Sequence, residues 1–165
     1  MSRAYNSQRE LQQKIMNGVN TLTDNVASTL GPRGRNVLLH EVDRMPFITK
    51  DGVTVAHFVE LEDPFENAAA QIIKQATSQT NAMAGDGTTT ATVLARGILT
   101  KAQRYITAGA SPVELKRGID VAVTYLTNYM RDTACPIETL ADVENIASIS
   151  ANNDREIGKL IATAV

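Results

Sequence analysis

The chain has 165 residues, of which 43% are apolar and 21% charged, and it contains no tryptophan. These values are typical of one helix-rich domain with an aliphatic core. The formal net charge of −2 gives no electrostatic reason to expect nucleic acid or an anionic membrane as a partner. No apolar run is long enough to span a membrane, and the polar first residues lack the apolar core of a secretory signal.

A long amphipathic helix is predicted from Gln8 to Leu30, because apolar residues recur there every three or four positions. Those residues are Leu11, Ile15, Val19, Leu22, Val26 and Leu30. The segment Gly31–Gly34 then supplies a helix terminator and a turn. Two short apolar runs follow, Asn36–Leu39 and Phe47–Thr49, with a polar loop between them. They predict a small β-hairpin.

A second long helix is predicted to begin at Pro64, because proline suits the first turn of a helix. It would end near Thr80 and bury a stripe composed of Phe65, Ala69, Ile72, Ile73 and Ala76. A third helix would follow the three threonines at 88–90 and be closed by Gly109. Its inward residues would be Val93, Leu94, Ile98 and Ile106.

Three more helices are predicted in the last third of the chain. Ser111 is placed as the N-cap of the first, and Glu114 would complete a capping box. This helix would run to about Asp132, with Leu115, Ile119, Val123, Leu126 and Met130 on one face. Shorter helices would open at Thr139 and Asp154, and the last stops at Val165 within an apolar pattern, which predicts a truncated chain. The fold class is therefore mainly α and multihelical, with one small β-hairpin.

The segment Gly85-Asp86-Gly87 leads directly into Thr88, Thr89 and Thr90. Backbone N–H groups in the first turn of a helix have no partner within the helix, and with the helix dipole they favour an anion. Asp86 beside a phosphate would need a cation between them, and Mg²⁺ accepts one carboxylate together with phosphate oxygens. The alternative is that Asp86 merely caps the helix. No lysine follows Gly87, so the segment is not a Walker A loop, and its spacing leaves both interpretations open.

The segment Lys50-Asp51-Gly52 is a second turn signal with two interpretations. It suits an ordinary surface turn. If it folds back beside Asp86, Asp51 could position water or a metal, and Lys50 could offset phosphate charge. The isolated His40 and His57 form no metal-ligand spacing. The single cysteine, Cys135, excludes an internal disulfide framework and favours a reducing, cytoplasmic location.

Several motifs that occur in one order resemble the amino-terminal part of the group I chaperonins, the GroEL-type family. They are Thr29–Pro32 with Arg33–Val37, Ile48–Val53, Glu60–Asp63 with Phe65–Asn67, Ala84–Leu94, Leu115–Asp120 and Ile149–Asn152. The resemblance implies an ATP-driven protein-folding machine made of stacked homo-oligomeric rings that act on unfolded client proteins, with a possible co-chaperonin lid. It also implies that residues 1–133 are half of an equatorial, ATP-binding domain and that residues 134–165 begin an intermediate domain.

The resemblance assigns roles to particular residues. The implied ATP pocket consists of Thr29, Leu30, Gly31, Pro32, Lys50, Asp86, Gly87, Thr88, Thr89 and Thr90. Within it, Asp86 would hold Mg²⁺, and oxygens around Thr29, Lys50 and Thr89 would suit K⁺. Asp51 resembles the acidic residue near the γ-phosphate that helps hydrolysis.

The chain also departs from the family pattern, whose members are several times longer and carry a further catalytic aspartate and a client-binding domain. His57-Phe58 replaces a charged pair, and residues 40–46 differ from the usual hairpin tip. Three functions follow as hypotheses. The first is an ATPase chaperonin subunit represented by an amino-terminal fragment. The second is a shortened nucleotide-binding or ring-modifying protein without turnover, and the third is a remnant that does not fold alone.

Overall fold

The computed structural model describes residues 8–165, and within that range it has seven helices and one two-stranded antiparallel sheet. The elements in order are α1 (Gln8–Ala27), β1 (Val37–Leu39), β2 (Phe47–Thr49), α2 (Gly52–Phe58), α3 (Pro64–Ala84), α4 (Thr88–Thr107), α5 (Pro112–Thr133), α6 (Leu140–Ser150) and α7 (Arg155–Ala164). The predicted class, mainly α with a small hairpin, is confirmed. None of the helices described is both long and apolar enough to cross a bilayer.

The chain divides into two compact units, one ending at Ala110 and the other comprising Ser111–Val165. In the first unit, α1, α3 and α4 pack together with α2 and the hairpin around one core. That core consists of Val19, Leu22, Val26, Leu39, Val55, Ala56, Ala69, Ala70 and Ile73. Helices α1 and α3 approach closely at Gly18, where an added Cβ would lie 2.1 Å from the Glu66 carbonyl oxygen. The functional division after residue 133 remains a prediction.

Three predicted features of the first unit are confirmed in outline and differ in detail. The hairpin pairs Leu38 with Ile48. Helix α1 ends at Ala27, before Leu30, because the chain turns there through bonds such as that from the Thr29 N–H to the Val26 carbonyl. Helix α3 continues past Thr80 to Ala84, where the left-handed Gly85 donates its N–H to the Asn81 carbonyl and ends the helix.

Some residues predicted to face inward are exposed. These are Ile72 and Ala76 on α3, and Leu94 and Ile98 on α4. The buried face of α4 instead carries Thr88 and Thr92, with Ala95 and Leu99 packed against the core. The prediction was wrong here because these helices pack through small and hydroxylated residues, which a search for large apolar side chains passes over.

Helix α2 was not predicted, because the sequence indicated only a turn at Lys50-Asp51-Gly52. Asp51 occupies its N-cap and accepts a hydrogen bond from the backbone N–H of Thr54. Seven residues are too few to show a helical period, and the Asp-Gly pair is typical of turns.

In the second unit, α6 and α7 pack against each other, and α5 contains no buried residue. Ser111 is the N-cap of α5, as predicted, but its side chain makes no capping bond, and Glu114 pairs instead with Arg117 at 2.8 Å. The predicted capping box is therefore absent at this helix. A capping box does form between Thr139 and Asp142 at α6. Val123, Leu126 and Met130, which were placed on one face of α5, are exposed.

Candidate functional site

Three segments that are distant in the sequence meet at one point, which we name the three-helix junction, consisting of Thr29, Gly52 and Thr89. Thr29 lies just past the end of α1, Gly52 begins α2, and Thr89 is in the first turn of α4. The hydroxyl oxygens of Thr29 and Thr89 are 3.4 Å apart. A Cβ added to Gly52 would lie 2.1 Å from the Thr89 hydroxyl oxygen and 3.4 Å from that of Thr29. Only a residue without a side chain fits at the start of α2 in this arrangement.

The loop after α1 is folded back on itself, and this positions Thr29. The Thr29 hydroxyl donates to the Val26 carbonyl at 2.8 Å, and the Thr29 side chain is buried. Gly31 has a positive φ of 70°, which glycine adopts without strain. A Cβ on Gly34 would lie 2.1 Å from the Thr29 carbonyl oxygen, so the returning chain packs tightly over that peptide. Leu30 and Pro32 are exposed on the same loop.

The carboxylate of Asp51 stands at the N-terminus of α2, immediately before Gly52. Its Oδ2 accepts from the Thr54 backbone N–H at 2.8 Å and from the Thr54 hydroxyl at 2.6 Å. Burial raises the pKa of Asp51, but hydrogen bonds from Thr54 and the Val53 N–H, together with nearby His57, outweigh burial and hold the pKa below its ordinary value. Asp51 is therefore an oriented, ionised carboxylate at neutral pH.

Lys50 precedes this carboxylate and is half-buried. Its ammonium group makes no salt bridge within the part of the chain that the structure describes. The lysines and arginines that do form salt bridges each contact a carboxylate, as Lys14 contacts Asp63 at 2.6 Å. The positive charge of Lys50 is thus not neutralised by a described carboxylate.

The turn before α4 is built on two left-handed glycines. Gly85 and Gly87 have positive φ angles of 69° and 80°. Gly87 occupies the N-cap and has no side-chain oxygen with which to cap the helix, while Asp86 stands one residue earlier. The Gly87 N–H donates to Asp86 Oδ1 at 2.5 Å, and Asp86 is exposed. The Asp86 carboxylate therefore lies next to the N-terminus of α4, whose N-cap residue is a glycine.

The three threonines of the first turn of α4 face different surroundings. Thr88 is buried, Thr89 is half-buried at the three-helix junction, and Thr90 is exposed. The first intrahelical bond of α4 runs from the Ala91 N–H to the Gly87 carbonyl. The N–H groups before Ala91 have no acceptor four residues earlier in the helix, and such donors suit an anion.

The donors at this site fit a magnesium–phosphate pair better than a metal bound by protein alone. Among residues 8–165, no group of three His, Cys, Asp or Glu side chains is arranged to hold a metal ion. Mg²⁺ commonly uses one or two carboxylates and takes its other ligands from water and phosphate. Asp86 would be such a carboxylate. His57, in contrast, contacts the Ser78 hydroxyl at 3.2 Å through Nε2.

The predicted site residues thus fall into three groups in the structure. Thr29 and Thr89 come together at the junction, Lys50 and Asp51 adjoin it through Gly52, and Asp86 to Thr88 precede Thr89 along the chain. Sequence reasoning missed Gly52 as a contact, although its Asp-Gly pair marked the position. It also missed the buried Thr77 and Thr92, whose hydroxyls meet behind the first turn of α4.

Comparison with known proteins identifies the family of this chain and structures with a similar fold. The model of the TCP-1/cpn60 chaperonin family matches residues 22–165. A group III chaperonin in its open state superposes with a TM-score of 0.79 at 25% identity, over 94% of this chain and 31% of that one. The chaperonin gp146 from the bacteriophage EL 2 (Pseudomonas aeruginosa), in the presence of ATP-BeFx, superposes with a TM-score of 0.76 at 26% identity. That match covers 94% of this chain and 28% of the phage chain. The chain spans less than a third of the length of either structure. Because the family model matches most of its residues, this chain belongs to the TCP-1/cpn60 chaperonin family.

Proposed function

We propose that this chain is part of an ATP-driven protein-folding chaperonin subunit and that its nucleotide binds at the three-helix junction and the turn Gly85–Thr90. The observation that carries this proposal is the convergence of Thr29, Gly52 and Thr89 beside a helix N-terminus capped by glycine. Helix N-termini with glycine turns bind phosphate because their N–H groups and dipole favour negative charge. The phage chaperonin that matches this chain was crystallised in the presence of ATP-BeFx, which supports the same ligand class.

The residues around the junction have complementary roles in this proposal. Backbone N–H groups and hydroxyls of Thr88, Thr89 and Thr90 bind phosphate oxygens, and the loop Thr29–Pro32 borders the nucleotide. Asp86 is the Mg²⁺ ligand. Mg²⁺, when bound, offsets phosphate charge and orients the transferred group. Oxygens of Thr29, Lys50 and Thr89 form a site for K⁺, and the Lys50 ammonium offsets further negative charge.

Asp51 is the residue proposed to promote hydrolysis. Its depressed pKa keeps it ionised at neutral pH, so it can accept a hydrogen bond from an attacking water. Its two bonds to Thr54 hold the carboxylate in one orientation. Proteins promote phosphoryl transfer by positioning the reactants, including the attacking water, and by stabilising charge on the transferred group.

Assembly and clients are further parts of the proposal. The hairpin exposes the paired Leu38 and Ile48, and its loop exposes Val42 and Met45; exposed apolar patches mark sites of protein contact. Family membership supports assembly into stacked rings that act on unfolded proteins, with a co-chaperonin as a possible lid. The exposed thiol of Cys135 supports a reducing compartment such as the cytoplasm. The group I subtype stays a prediction, since a group III chaperonin is among the structural matches.

The test is nucleotide binding and hydrolysis by the whole gene product and by two isosteric variants. Asp51→Asn keeps the helix cap and removes the charge, so we expect MgATP hydrolysis to fall by about 100-fold with binding retained. Asp86→Asn should make the binding of ATP depend less on the magnesium concentration. Asp154→Asn is the matched control, because Asp154 caps α7 in the other unit. Unchanged hydrolysis in both variants would contradict the assigned site, and binding without any hydrolysis in the wild type would favour a nucleotide-binding protein without turnover.

A further inference from the structure

Two buried threonines join α3 to α4 directly behind the proposed phosphate-binding turn. Thr77 on α3 and Thr92 on α4 are each 1% exposed, and their hydroxyl oxygens are 2.8 Å apart. The Thr92 hydroxyl also lies 2.9 Å from the Thr88 carbonyl oxygen, and the Thr77 hydroxyl lies 3.0 Å from the Ile73 carbonyl oxygen. Each hydroxyl therefore contacts the other hydroxyl and a backbone carbonyl of its own helix.

The two hydroxyl hydrogens are too few for all three oxygen–oxygen contacts to be hydrogen bonds at once. Each hydroxyl has one hydrogen, so at most two of the three contacts hold a hydrogen at once. If each hydroxyl donated to its own helix, the two oxygens would face each other at 2.8 Å with no hydrogen between them. Two arrangements keep the bond between Thr77 and Thr92. In one, Thr77 donates to Thr92 and Thr92 donates to the Thr88 carbonyl; in the other, Thr92 donates to Thr77 and Thr77 donates to the Ile73 carbonyl.

We infer that the first arrangement forms, with its slightly shorter contact to the Thr88 carbonyl, and that both threonines are positioning residues for the phosphate-binding turn. The carbonyl of Thr88 and the N–H of Thr89 belong to the same planar peptide group. A hydroxyl that holds the carbonyl therefore also sets the direction of the Thr89 N–H, which the proposed function assigns to phosphate. The hydrogen bond polarises that peptide and strengthens its N–H as a donor.

The pair also fixes how far α4 can slide along α3. A shift by one residue moves a helix by 1.5 Å, whereas a hydrogen bond tolerates only a few tenths of an ångström. Apolar side chains at the same places would resist sliding through steric fit alone, without a directional contact. The first turn of α4 is thus bonded through Thr88 to Thr92 and Thr77, and at Thr89 it lies against Thr29 and Gly52.

The inference rests on the proposed nucleotide site, and the whole gene product tests both. Binding of a non-hydrolysable MgATP analogue and the urea unfolding midpoint are measured for Thr92→Val, Thr77→Val and the double variant. Removing both hydroxyls leaves no orphaned partner, so the double variant should unfold near the wild-type midpoint. Its affinity for the analogue should nevertheless fall by roughly tenfold, the loss expected when one hydrogen bond to the ligand is weakened. Because Thr77 acts through Thr92, the double variant should bind no more weakly than Thr92→Val alone.

Thr107→Val is the matched control, because the Thr107 hydroxyl donates to the Gln103 carbonyl at 2.8 Å in the same helix but is exposed. It should bind as the wild type does, and Thr92→Ser should restore binding. If Thr92→Val does not fold, the comparison of Thr92→Ala with Thr92→Ser carries the test. Wild-type affinity in Thr92→Val and in the double variant would overturn the inference alone. Failure of the wild type to bind the analogue would overturn the proposed function and this inference with it.

Discussion

The ammonium group of Lys74 on α3 donates to the backbone carbonyl of His57, 3.2 Å away, in the last turn of α2. A cation near a helix C-terminus is favourable, since that end carries partial negative charge. Lys74 is nevertheless only 5% exposed, and within the described range it forms no salt bridge. This contact joins α3 to the short helix whose other end carries Asp51.

Burial lowers the pKa of Lys74 below its ordinary value of 10.5, and the negative charge of Glu60 only partly opposes this. The folded protein therefore binds this proton less tightly than the unfolded chain does. The free-energy cost of burying the charged ammonium is present at pH values below the pKa of Lys74 in the folded protein. It is relieved as the pH rises through that pKa toward 10.5. We expect the free energy of unfolding of the wild type to rise, relative to Lys74→Met, on approaching this window from pH 7. Parallel pH curves from urea titrations would contradict the prediction, and Lys101→Met on the exposed side of α4 is the control.

Asp63 should make the first unit sensitive to acid. The Lys14 ammonium donates to its carboxylate at 2.6 Å, and the Phe65 and Glu66 N–H groups donate at 2.9 and 3.1 Å. These bonds, that of Lys14 first, hold the pKa of Asp63 below its ordinary value of 3.8. Its contribution to stability is therefore complete above that value and is lost as the pH falls through the lower folded pKa.

Asp63→Asn keeps an N-cap side chain but has no charge to lose, so its urea midpoint should depend less on pH below about 4 than that of the wild type. Asp43→Asn is a suitable control, because Asp43 is exposed and its positive φ of 66° is one that asparagine tolerates. An acid dependence equal to that of the wild type in Asp63→Asn would show that other carboxylates dominate.

Gly18 should be intolerant of alanine. The added Cβ would lie 2.1 Å from the Glu66 carbonyl oxygen, which is backbone of α3 and can yield only if the helices separate. We expect Gly18→Ala to lower the free energy of unfolding by about 1–3 kcal/mol, as overpacking does. Gly97→Ala in α4 meets nothing within 4 Å and should stabilise by about 0.5–1 kcal/mol. Equal effects of the two changes in chemical denaturation would refute the close approach of α1 and α3.

Gly52→Ala should impair nucleotide binding. Its Cβ would lie 2.1 Å from the Thr89 hydroxyl, a side chain that has few alternative rotamers in a helix. Displacing Thr89 from Thr29 should weaken MgATP binding by roughly tenfold, as measured by calorimetric titration. Gly118→Ala on α5 meets nothing within 4 Å and should bind normally. Normal binding by Gly52→Ala would mean that the junction does not border the nucleotide.

Local signals in the sequence predicted most of the helices and the hairpin. Gly31, Gly85 and Gly87 lie in turns with positive φ, and Pro64 marked a helix start. The sequence could not predict that Gly52 meets Thr89 or that Thr77 meets Thr92, since these contacts depend on how the helices dock. The same reason explains why Leu94 and Ile98 were placed inside although they are exposed. A helical period shows that a face is apolar, but the partner that covers it is decided by tertiary packing.

The separation of 60 residues between Thr29 and Thr89 has a consequence for how the protein folds. No single hairpin or helix contains the junction, so it forms only after α1, α2 and α4 have docked, late in the order that loop closure imposes. A ligand that requires the junction therefore binds only the docked state. At a concentration 100 times its dissociation constant it would add about 2.7 kcal/mol to the stability of the entire first unit. During synthesis, at about 5–20 residues per second, the segment with Thr29 is made several seconds before Thr89.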